Sequence, residues 1–444
     1  MHSVRKAYYI HSLGCNKNTV DSEIIMSLLK ARGYSRVDQP ENASRIIINT
    51  CAFIDSAKEE AIEAIMALSQ RKHEEAFLVV TGCMPQIYAS EIRRNIPEAD
   101  IIAGSGDLAA VIDSIDTDSK GGDFPSTRDI PKYYSNEVLR SEFLVNRGYA
   151  YIKISEGCNR SCSFCLIPQI KGNLRSRSVE EIVREARYLE EQGAEELILI
   201  SQDTLSYGSD RNDESNLRFL LNQILENTEV SFIRLLYLRP SKKLLSLLDL
   251  FVNGRIVPYF DIPVQHASEQ VLKKMNREGN AAQYESIIAG IRNHIPHAVL
   301  RTTLITGFPG EGKREFEELL SFIEHIRFNH VGVFVFSPQR ETVAYNLHGK
   351  VKKGVAERRK ETLLSCQRSI SRELLQSEVG KTFDVLIEEK VEKERLYFGR
   401  SYHFAPDVDG LFVVESDGQL KTGSVVKVLT HSAEDYDLHG SVCI

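Results

Sequence analysis

The chain has 444 residues, a net charge of −7, eight cysteines, no tryptophan and 42% hydrophobic residues. Its length predicts about two to four domains, and its near-average composition excludes a disordered or fibrous chain. No apolar stretch approaches the roughly 20 residues of a membrane helix, and the start lacks the apolar core of a secretory signal, so we expect a soluble cytoplasmic protein without membrane contact. The cysteines are too sparse for a disulfide scaffold. The acidic balance speaks against a protein that coats nucleic acid.

The first hundred residues predict a parallel α/β domain. Buried strands are expected at 7–11, 45–49, 77–81 and 100–103, with helices such as 22–31 and 56–68 between them. Cys15, Cys51 and Cys83 each follow a predicted strand. Because open parallel sheets gather their ligand-binding loops at the carboxyl ends of the strands, we expect these three thiols to lie close together.

A polar stretch at 114–146 predicts a linker, and a second series of strands and helices follows it. Six strands are expected, at 149–155, 196–201, 232–238, 256–262, 298–304 and 331–336. With a long helix at 355–375, this series favours a partial TIM-like barrel. The last seventy residues, with short strands at 383–388, 411–415 and 424–429, predict a small all-β barrel.

The strongest motif is the C-x3-C-x2-C spacing of Cys158, Cys162 and Cys165, which directly follows the first barrel strand. Three thiolates on one loop can hold three corners of an iron-sulfur cube, whereas a fully ligated cluster takes four. The same thiolates could hold zinc. The position at the carboxyl-end face of a barrel favours the cluster, since catalysis is placed there. Cys366 and Cys443 have no partner at a metal-ligand spacing and are interpreted as incidental thiols.

This loop resembles that of the radical S-adenosylmethionine (SAM) superfamily, which usually has an aromatic residue before the last cysteine, here Phe164. The resemblance implies a [4Fe-4S] cluster whose open iron chelates SAM. Weaker candidates for cofactor or substrate contacts lie on the same predicted rim: Arg175, Arg177, Gln202, Asp203, Gln265 and His266. A solvated loop, a helix cap or a structural histidine would explain several of them equally well.

A glycine-rich segment at 307–314 nearly satisfies the phosphate-binding pattern G-x4-G-K-[ST]. Arg314 stands where that pattern needs a hydroxyl, and Pro309 lacks an amide that would hold phosphate. ATP hydrolysis is therefore not expected. The segment is similar instead to the glycine-rich rim loop of radical SAM barrels, which places Gly307 near SAM.

The whole chain resembles the methylthiotransferases, on the segments 12–23, 49–51, 81–83 and 156–172. The resemblance implies an N-terminal domain at 1–113, a linker at 114–146, a radical SAM barrel at 147–375 and a TRAM domain at 376–444. It also implies two [4Fe-4S] clusters. Cys158, Cys162 and Cys165 would hold the cluster that cleaves SAM, and Cys15, Cys51 and Cys83 would hold an auxiliary cluster that presents a sulfur methylated by a second SAM.

Within this family, segments such as 52–57, 200–204 and 261–266 are similar to the branch that methylthiolates the β carbon of an aspartate in ribosomal protein S12. Residues 376–444 carry thirteen acidic and seven basic side chains, a net charge of −6. An acidic module favours a basic protein partner over direct RNA binding. The alternatives are the same reaction on a tRNA adenosine, or a zinc-bound ribosome-associated binding factor. The family also implies a reducing electron donor such as flavodoxin.

Overall fold

A computed structural model describes residues 6–106, 108–116, 140–143, 147–391 and 394–443. Most of the predicted linker at 114–146 lies outside these residues. Its first three residues belong to a helix that ends at Asp116. The domain boundaries therefore stay a prediction.

The N-terminal part forms a five-stranded parallel sheet with the order β2-β1-β3-β4-β5. Its strands are β1 Ala7–Ser12, β2 Ser35–Arg36, β3 Arg45–Thr50, β4 Phe77–Gly82 and β5 Ile101–Ile102. Strands β3 and β4 are buried along their whole length, as expected for parallel strands that helices cover on both faces. The predicted α/β class is confirmed here.

The helices of this part are α1 Asn16–Ala31, α2 Asp55–Arg71, α3 Cys83–Asn95 and α4 Leu108–Asp116. Helix α1 begins six residues before its predicted start at position 22. The polar run from Asn16 to Asn18 hid this start, because asparagine has a low helix propensity. Eleven residues of α1 are nonetheless buried, several of them polar.

The central part carries six parallel strands in two ladders, β10-β9-β6 and β11-β12-β13, which a bridge between Ile233 and Ile256 connects. The strands are β6 Tyr149–Lys153, β9 Glu196–Ile200, β10 Phe232–Leu235, β11 Tyr259–Asp261, β12 Val299–Thr306 and β13 His330–Val335, and a small antiparallel pair consists of β7 Ser155–Glu156 and β8 Arg175–Ser176. All six predicted strands are present, and the partial barrel is confirmed.

Helices surround this partial barrel. They are α5 Ile167–Lys171, α6 Val179–Glu191, α7 Leu217–Asn227, α8 Glu269–Lys274, α9 Ala281–His294, α10 Lys313–Ile326 and α11 Lys353–Gln376. Short 3-10 helices lie at Pro40–Asn42, Thr204–Ser206, Lys242–Asn253 and Val343–Asn346. The long last helix agrees with the predicted 355–375.

The C-terminal part is a closed five-stranded barrel with the order β14-β15-β16-β18-β17. Its strands are β14 Thr382–Lys390, β15 Leu396–Arg400, β16 Phe412–Glu415, β17 Val425–Ala433 and β18 Leu438–Val442. Strands β15 and β18 were not predicted. Gly440 interrupts the apolar alternation of β18, which hid this strand. Glycine is needed at this position because a Cβ would lie 2.3 Å from the Leu429 carbonyl oxygen.

One hydrophobic cluster joins all three parts. It contains Tyr8 and Ile25 of the N-terminal part, Tyr151 and Ile198 of the central barrel, and Ala405 of the C-terminal part. The N-terminal part therefore packs directly against the barrel. Among the described residues, no helix is both long and apolar enough to cross a membrane.

Candidate functional site

The C-x3-C-x2-C loop lies between strand β7 and helix α5, at the carboxyl-end rim of the barrel. The loop turns away from β7 at Gly157, whose φ is +76° and whose added Cβ would lie 2.2 Å from the Asn173 carbonyl oxygen. The amide of Cys158 then donates to the Gly172 carbonyl at 3.0 Å. Only glycine fits this close approach, so the turn fixes where the first cysteine of the loop points.

The rest of the loop is held from the far side of the barrel. The amide of Ser163 donates to the Met275 carbonyl at 2.9 Å, and the amide of Ala344 donates to the Ser163 carbonyl at 2.8 Å. The Ser163 hydroxyl donates to the Lys274 carbonyl at 2.7 Å. Two segments distant in sequence, residues 274–275 and residue 344, therefore position the loop.

The three thiols of this loop receive hydrogen bonds that suit a cluster ligand. The amides of Arg160 and Ile167 lie 3.4 and 3.5 Å from the sulfurs of Cys158 and Cys165. Arg277 Nη1 lies 3.8 Å from the Cys162 sulfur. Burial raises the pKa of the Cys158 thiol, and it raises the pKa of Cys165 to about 12. The raised pKa values of Cys158 and Cys165 mean that iron binding must displace the protons of these two thiols.

A cavity of about 140 Å³ opens beside Cys158. It is lined by Cys158, Asn159, Arg160, Leu174, Asp203, Ser206 and Ser209. A larger groove of about 450 Å³ lies between helices α6 and α7 and includes no cysteine. The chemistry of the lining, rather than the volume, therefore identifies the smaller cavity as the candidate site.

The second group of cysteines follows three strands of the N-terminal sheet. Cys15 precedes the first residue of α1, Cys51 follows β3, and Cys83 is the first residue of α3. A Cβ on Gly14, whose φ is +91°, would lie 2.7 Å from the Cβ of Cys51. The loops of Cys15 and Cys51 are thus in contact, as the strand positions predicted. The positive ends of α1 and α3 face this rim and favour an anionic group there.

Asparagine side chains hold these loops together. Asn18 Nδ2 donates to the carbonyls of Leu13 at 2.9 Å and Thr50 at 3.0 Å, and Asn49 Nδ2 donates to the Asn18 carbonyl at 2.9 Å. The Cys83 sulfur lies 3.7 Å from Asn18 Oδ1. Burial raises the pKa of Cys51 and strongly raises that of Cys83.

Among the described residues, no group of three His, Cys, Asp or Glu side chains is arranged to hold a single metal ion. A cubic cluster does not require such a group, since each of its thiolates binds a different iron. Two sets of three soft sulfur ligands, each near hydrogen-bond donors or helix amino ends, fit the iron-sulfur clusters that the sequence predicted.

A buried network of four charges connects the two cysteine groups. Lys153 pairs with Asp21 and, at 2.6 Å, with Glu156, and Lys171 lies 3.3 Å from Asp21 and 3.5 Å from Glu156. Burial alone would raise the pKa of Glu156, but the two lysines outweigh it and lower that pKa to about 2. The network balances two cations with two anions. It ties α1 to the rim of the barrel.

Three of the predicted cofactor-binding residues, Phe164, Gln202 and Gln265, are held by contacts within the barrel. Phe164 packs edge-on against Phe308, with ring centroids 6.3 Å apart. Gln202 Nε2 donates to Glu156 at 3.3 Å. The backbone of Gln265 has a φ of +70° and bonds to both Thr303 and Ile305 of β12. All three positions lie at the barrel rim, and their contact with SAM stays a prediction.

Gly307 and Arg177 are held by neighbouring carboxylates. The Gly307 amide donates to Glu311 Oε2 at 3.0 Å. A carboxylate of the same loop therefore accepts the hydrogen bond that this amide would give to a phosphate in a phosphate-binding loop. The Glu311 carboxylate also lies 3.3 Å from His266 Nε2. Arg177 is buried, and its guanidinium binds Glu185 and the Lys153 carbonyl. A contact between Arg177 and SAM remains a prediction.

Four buried charged residues received no role from the sequence: Lys17, Asp21, Lys153 and Arg140. Arg140 binds Glu23 at 2.7 Å and Glu185 at 2.8 Å. Burial lowers the pKa of Lys17 to about 8, which leaves it mostly protonated at neutral pH. Lys17 and Asp21 lie on α1, a largely buried helix. Charged residues in such a helix could have indicated a buried network, but their partners are distant in sequence.

Comparison with known proteins covers nearly the whole chain. Residues 7–104 match uncharacterized protein family UPF0004, residues 152–323 match the radical SAM superfamily, and residues 379–443 match the TRAM domain. The ribosomal protein uS12 methylthiotransferase RimO of Thermoanaerobacter sp. (strain X514) is 41% identical over 438 residues, which cover 97% of this chain and 98% of that protein. The protein of the same name from Gloeothece citriformis (strain PCC 7424) is 38% identical, with 98% of each chain covered.

Solved structures show the same fold at low identity. The radical SAM methyltransferase TsrM from Kitasatospora setae superposes with a TM-score of 0.53 and 13% identity, over 74% of this chain and 75% of that one. The cobalamin-dependent radical SAM enzyme OxsB has a TM-score of 0.52 and 12% identity, over 81% of this chain and 56% of that one. These similarities bear on the fold alone.

Proposed function

The chain belongs to the RimO family of radical SAM methylthiotransferases, and we propose that it methylthiolates the β carbon of an aspartate in ribosomal protein uS12 (S12). The observation that supports this most strongly is the combination of full-length similarity to uS12 methylthiotransferases with two cysteine triads, one at the rim of the N-terminal sheet and one at the rim of the barrel. The substrate carbon has no proton that a general base could remove at neutral pH. A [4Fe-4S] cluster with bound SAM supplies a carbon radical that can take a hydrogen atom from such a carbon.

The chain's own residues would hold and separate the reacting groups. Cys158, Cys162 and Cys165 are proposed to hold the radical cluster, and Cys15, Cys51 and Cys83 an auxiliary cluster. Phe308 lies between Phe164 and Phe336, with ring centroids 6.3 and 4.9 Å apart. Phe308 is fully buried, so these rings form an apolar cluster next to the cysteine loop, and an apolar wall limits side reactions of a radical with water or other hydrogen donors.

SAM is proposed to lie over the loop of Cys158. Gln202 reaches Glu156 from the end of β9, and the Gln265 backbone caps the edge of β12. Gly307 begins the turn that leads to α10. Gln202 and Gln265 are partly exposed and Gly307 is buried against Ala356 of α11, so we expect the side chains of Gln202 and Gln265 to reach the cofactor and Gly307 to shape the loop beside it.

The choice of uS12 over tRNA rests on the relatives and on charge. The net charge of −6 in residues 376–444 is unsuited to a module that neutralises phosphates. Part of this charge is internal, since Asp409 is 2% exposed beside Arg301. Because the proposed substrate is a ribosomal protein, we propose a cytoplasmic reaction, with a reducing donor such as flavodoxin to supply the electron.

The test is a direct comparison of the two substrates. Enzyme reconstituted anaerobically with iron and sulfide is incubated with SAM and either uS12 or tRNA, and products are analysed by mass spectrometry. We expect one methylthio group on uS12 and none on tRNA. Modification of tRNA with uS12 unchanged would contradict the proposal.

Metal analysis separates catalysis from a zinc-bound binding protein. The enzyme as isolated without oxygen should contain iron and sulfide for two clusters. Replacing Cys158, Cys162 and Cys165 by Ala should leave about half of the iron and abolish 5′-deoxyadenosine formation. Stoichiometric zinc without iron or sulfide would instead support the binding-protein alternative.

A further inference from the structure

Lys17 lies where the N-terminal domain meets the rim of the barrel. It lies in the first turn of α1, two residues after Cys15. Its Nζ is 3.1 Å from the centroid of the Tyr237 ring, and the Tyr237 hydroxyl donates to Asn16 Oδ1 at 3.0 Å. Tyr237 follows barrel strand β10. The Lys17 side chain therefore extends from the N-terminal domain to the rim of the barrel.

The Lys17 ammonium has no anionic partner among the residues that the structure describes. The residue is 8% exposed, and its nitrogen lies over the face of Tyr237 rather than beside a carboxylate. Lys153 and Lys171, which are equally buried, each pair with both Asp21 and Glu156. A buried ammonium without a carboxylate is costly, and a cation–π contact offsets that cost only in part.

The nearest carboxylates are already engaged. Glu156 is bound by Lys153 and Lys171. Asp261 accepts from Arg301 Nη1 at 2.9 Å and from the Tyr237 amide at 3.0 Å. Among the anionic groups, Cys15 acts most strongly on the pKa of Lys17, followed by Asp261 and Glu156, and each of them acts through the field without a salt bridge. In this part of the rim, Lys17 thus carries the positive charge that local ion pairs leave unbalanced.

We infer that Lys17 binds the side-chain carboxylate of the substrate aspartate. The inference rests on the proposed function, because that function brings one small anion to this rim. The reacting β carbon is bonded directly to the carboxylate carbon, so an ammonium beside Cys15 would hold that carbon close to the auxiliary group. A neutral nucleobase offers no such charge, which makes Lys17 a residue that determines substrate specificity.

The test combines two enzyme variants with two substrates. Lys17→Met removes the charge with little change in volume, and Lys17→Arg keeps it. The substrates are uS12 and uS12 in which asparagine replaces the target aspartate. Affinity is measured by fluorescence anisotropy on cluster-loaded enzyme, and methylthiolation by mass spectrometry.

We expect Lys17→Met to weaken binding of the aspartate form by about 30-fold or more, to leave binding of the asparagine form unchanged, and to lose methylthiolation. Lys17→Arg should restore part of the preference.

Lys30→Met is the matched control, because Lys30 lies on the same helix but is exposed and pairs with Glu142. It should bind and modify uS12 as the wild type does. Iron, sulfide and the midpoint potentials of the clusters are measured for every variant, together with 5′-deoxyadenosine formation in the absence of uS12. We expect all of these to match the wild type in Lys17→Met.

Two results would overturn the assignment of Lys17 alone. One is Lys17→Met enzyme that still prefers the aspartate form. The other is equal weakening of both forms with a shifted cluster potential, which would show that Lys17 serves the auxiliary cluster. Wild-type enzyme that leaves uS12 unmodified would overturn the proposed function, and the assignment with it.

Discussion

Buried charges distinguish the residues around this site from an ordinary barrel rim. Asp21 lies between Lys153 and Lys171, and all three are almost completely buried. Desolvation of such groups is repaid only when every charge keeps its partner. The network is therefore more informative as a constraint on geometry than as a source of stability: it sets where α1 meets the barrel.

Replacing Asp21 by Asn should destabilise the protein strongly. Lys153 and Lys171 would then share Glu156 alone, and a buried pair that loses one partner costs about 3–5 kcal/mol. The free energy of unfolding, measured by urea denaturation without oxygen, should fall by that amount. Asp113→Asn is the control, since its pair with Arg32 is exposed and should contribute little. A loss as small as the control's would contradict this account of the network.

The sequence indicated the cysteines as candidate cluster ligands, whereas it gave no indication of the charged residues next to them. Spacing within eight residues revealed the loop of Cys158, because cluster ligation imposes a local pattern. The pairing of Asp21 with Lys153 joins positions 132 residues apart. No periodicity or composition encodes that contact. Only the packing of α1 against the barrel brings these side chains together.

Among the secondary-structure elements, the buried parallel strands were predicted best. Strand β9 is apolar except for its first residue, and β3 contains three consecutive isoleucines, so the pattern identifies both strands without tertiary information. The start of α1 and the strand β18 were missed because packing overrides weak local propensity there. The turns at Cys15, Cys83 and Cys158 carry a clearer signal, since a glycine with positive φ precedes each of these three cysteines.

Two glycine substitutions should each damage one cluster and spare the other. Gly157→Ala would press a Cβ against the Asn173 carbonyl at 2.2 Å, and Gly14→Ala would press one against Cys51 at 2.7 Å. Gly157→Ala should abolish 5′-deoxyadenosine formation. Gly14→Ala should retain it but lose methylthiolation. Iron analysis should find about half of the wild-type content in both variants.

Gly193→Ala controls for backbone strain in this pair. Gly193 also has a positive φ, +94°, but an added Cβ would have no neighbour within 4 Å. The substitution should cost about 1–2 kcal/mol of stability and leave both clusters intact. If Gly157→Ala and Gly14→Ala lost the same cluster, the assignment of the two triads would be wrong.

Across the whole molecule, the C-terminal barrel is joined to the central barrel by buried polar contacts. Arg400 binds Glu196 of β9 at 2.7 Å, and the carbonyl of His403 accepts from His330 Nε2 at 2.7 Å. The ring of His403 stacks on Tyr402 at 4.0 Å and packs edge-on against Phe383. A second proton, which would make this ring a cation, would therefore lie within the junction between domains.

Acid should therefore loosen this junction through His403. Burial, with the nearby cations next in importance, lowers its pKa from 6.5 to about 3. The folded state keeps the ring neutral while the unfolded chain takes up a proton below pH 6.5. Stability is thus complete above that pH and is lost progressively as the pH falls toward 3. The linkage amounts to about 2 kcal/mol at pH 5.

Carboxylates also titrate in this range. The quantity to measure is therefore the slope of the free energy of unfolding against pH, compared between wild type and His403→Gln by urea denaturation from pH 7 to 5. The variant should show the shallower slope, and His348→Gln, at an exposed position, should show the wild-type slope. Equal slopes in all three proteins would mean that His403 is already protonated in the folded state or accessible to water.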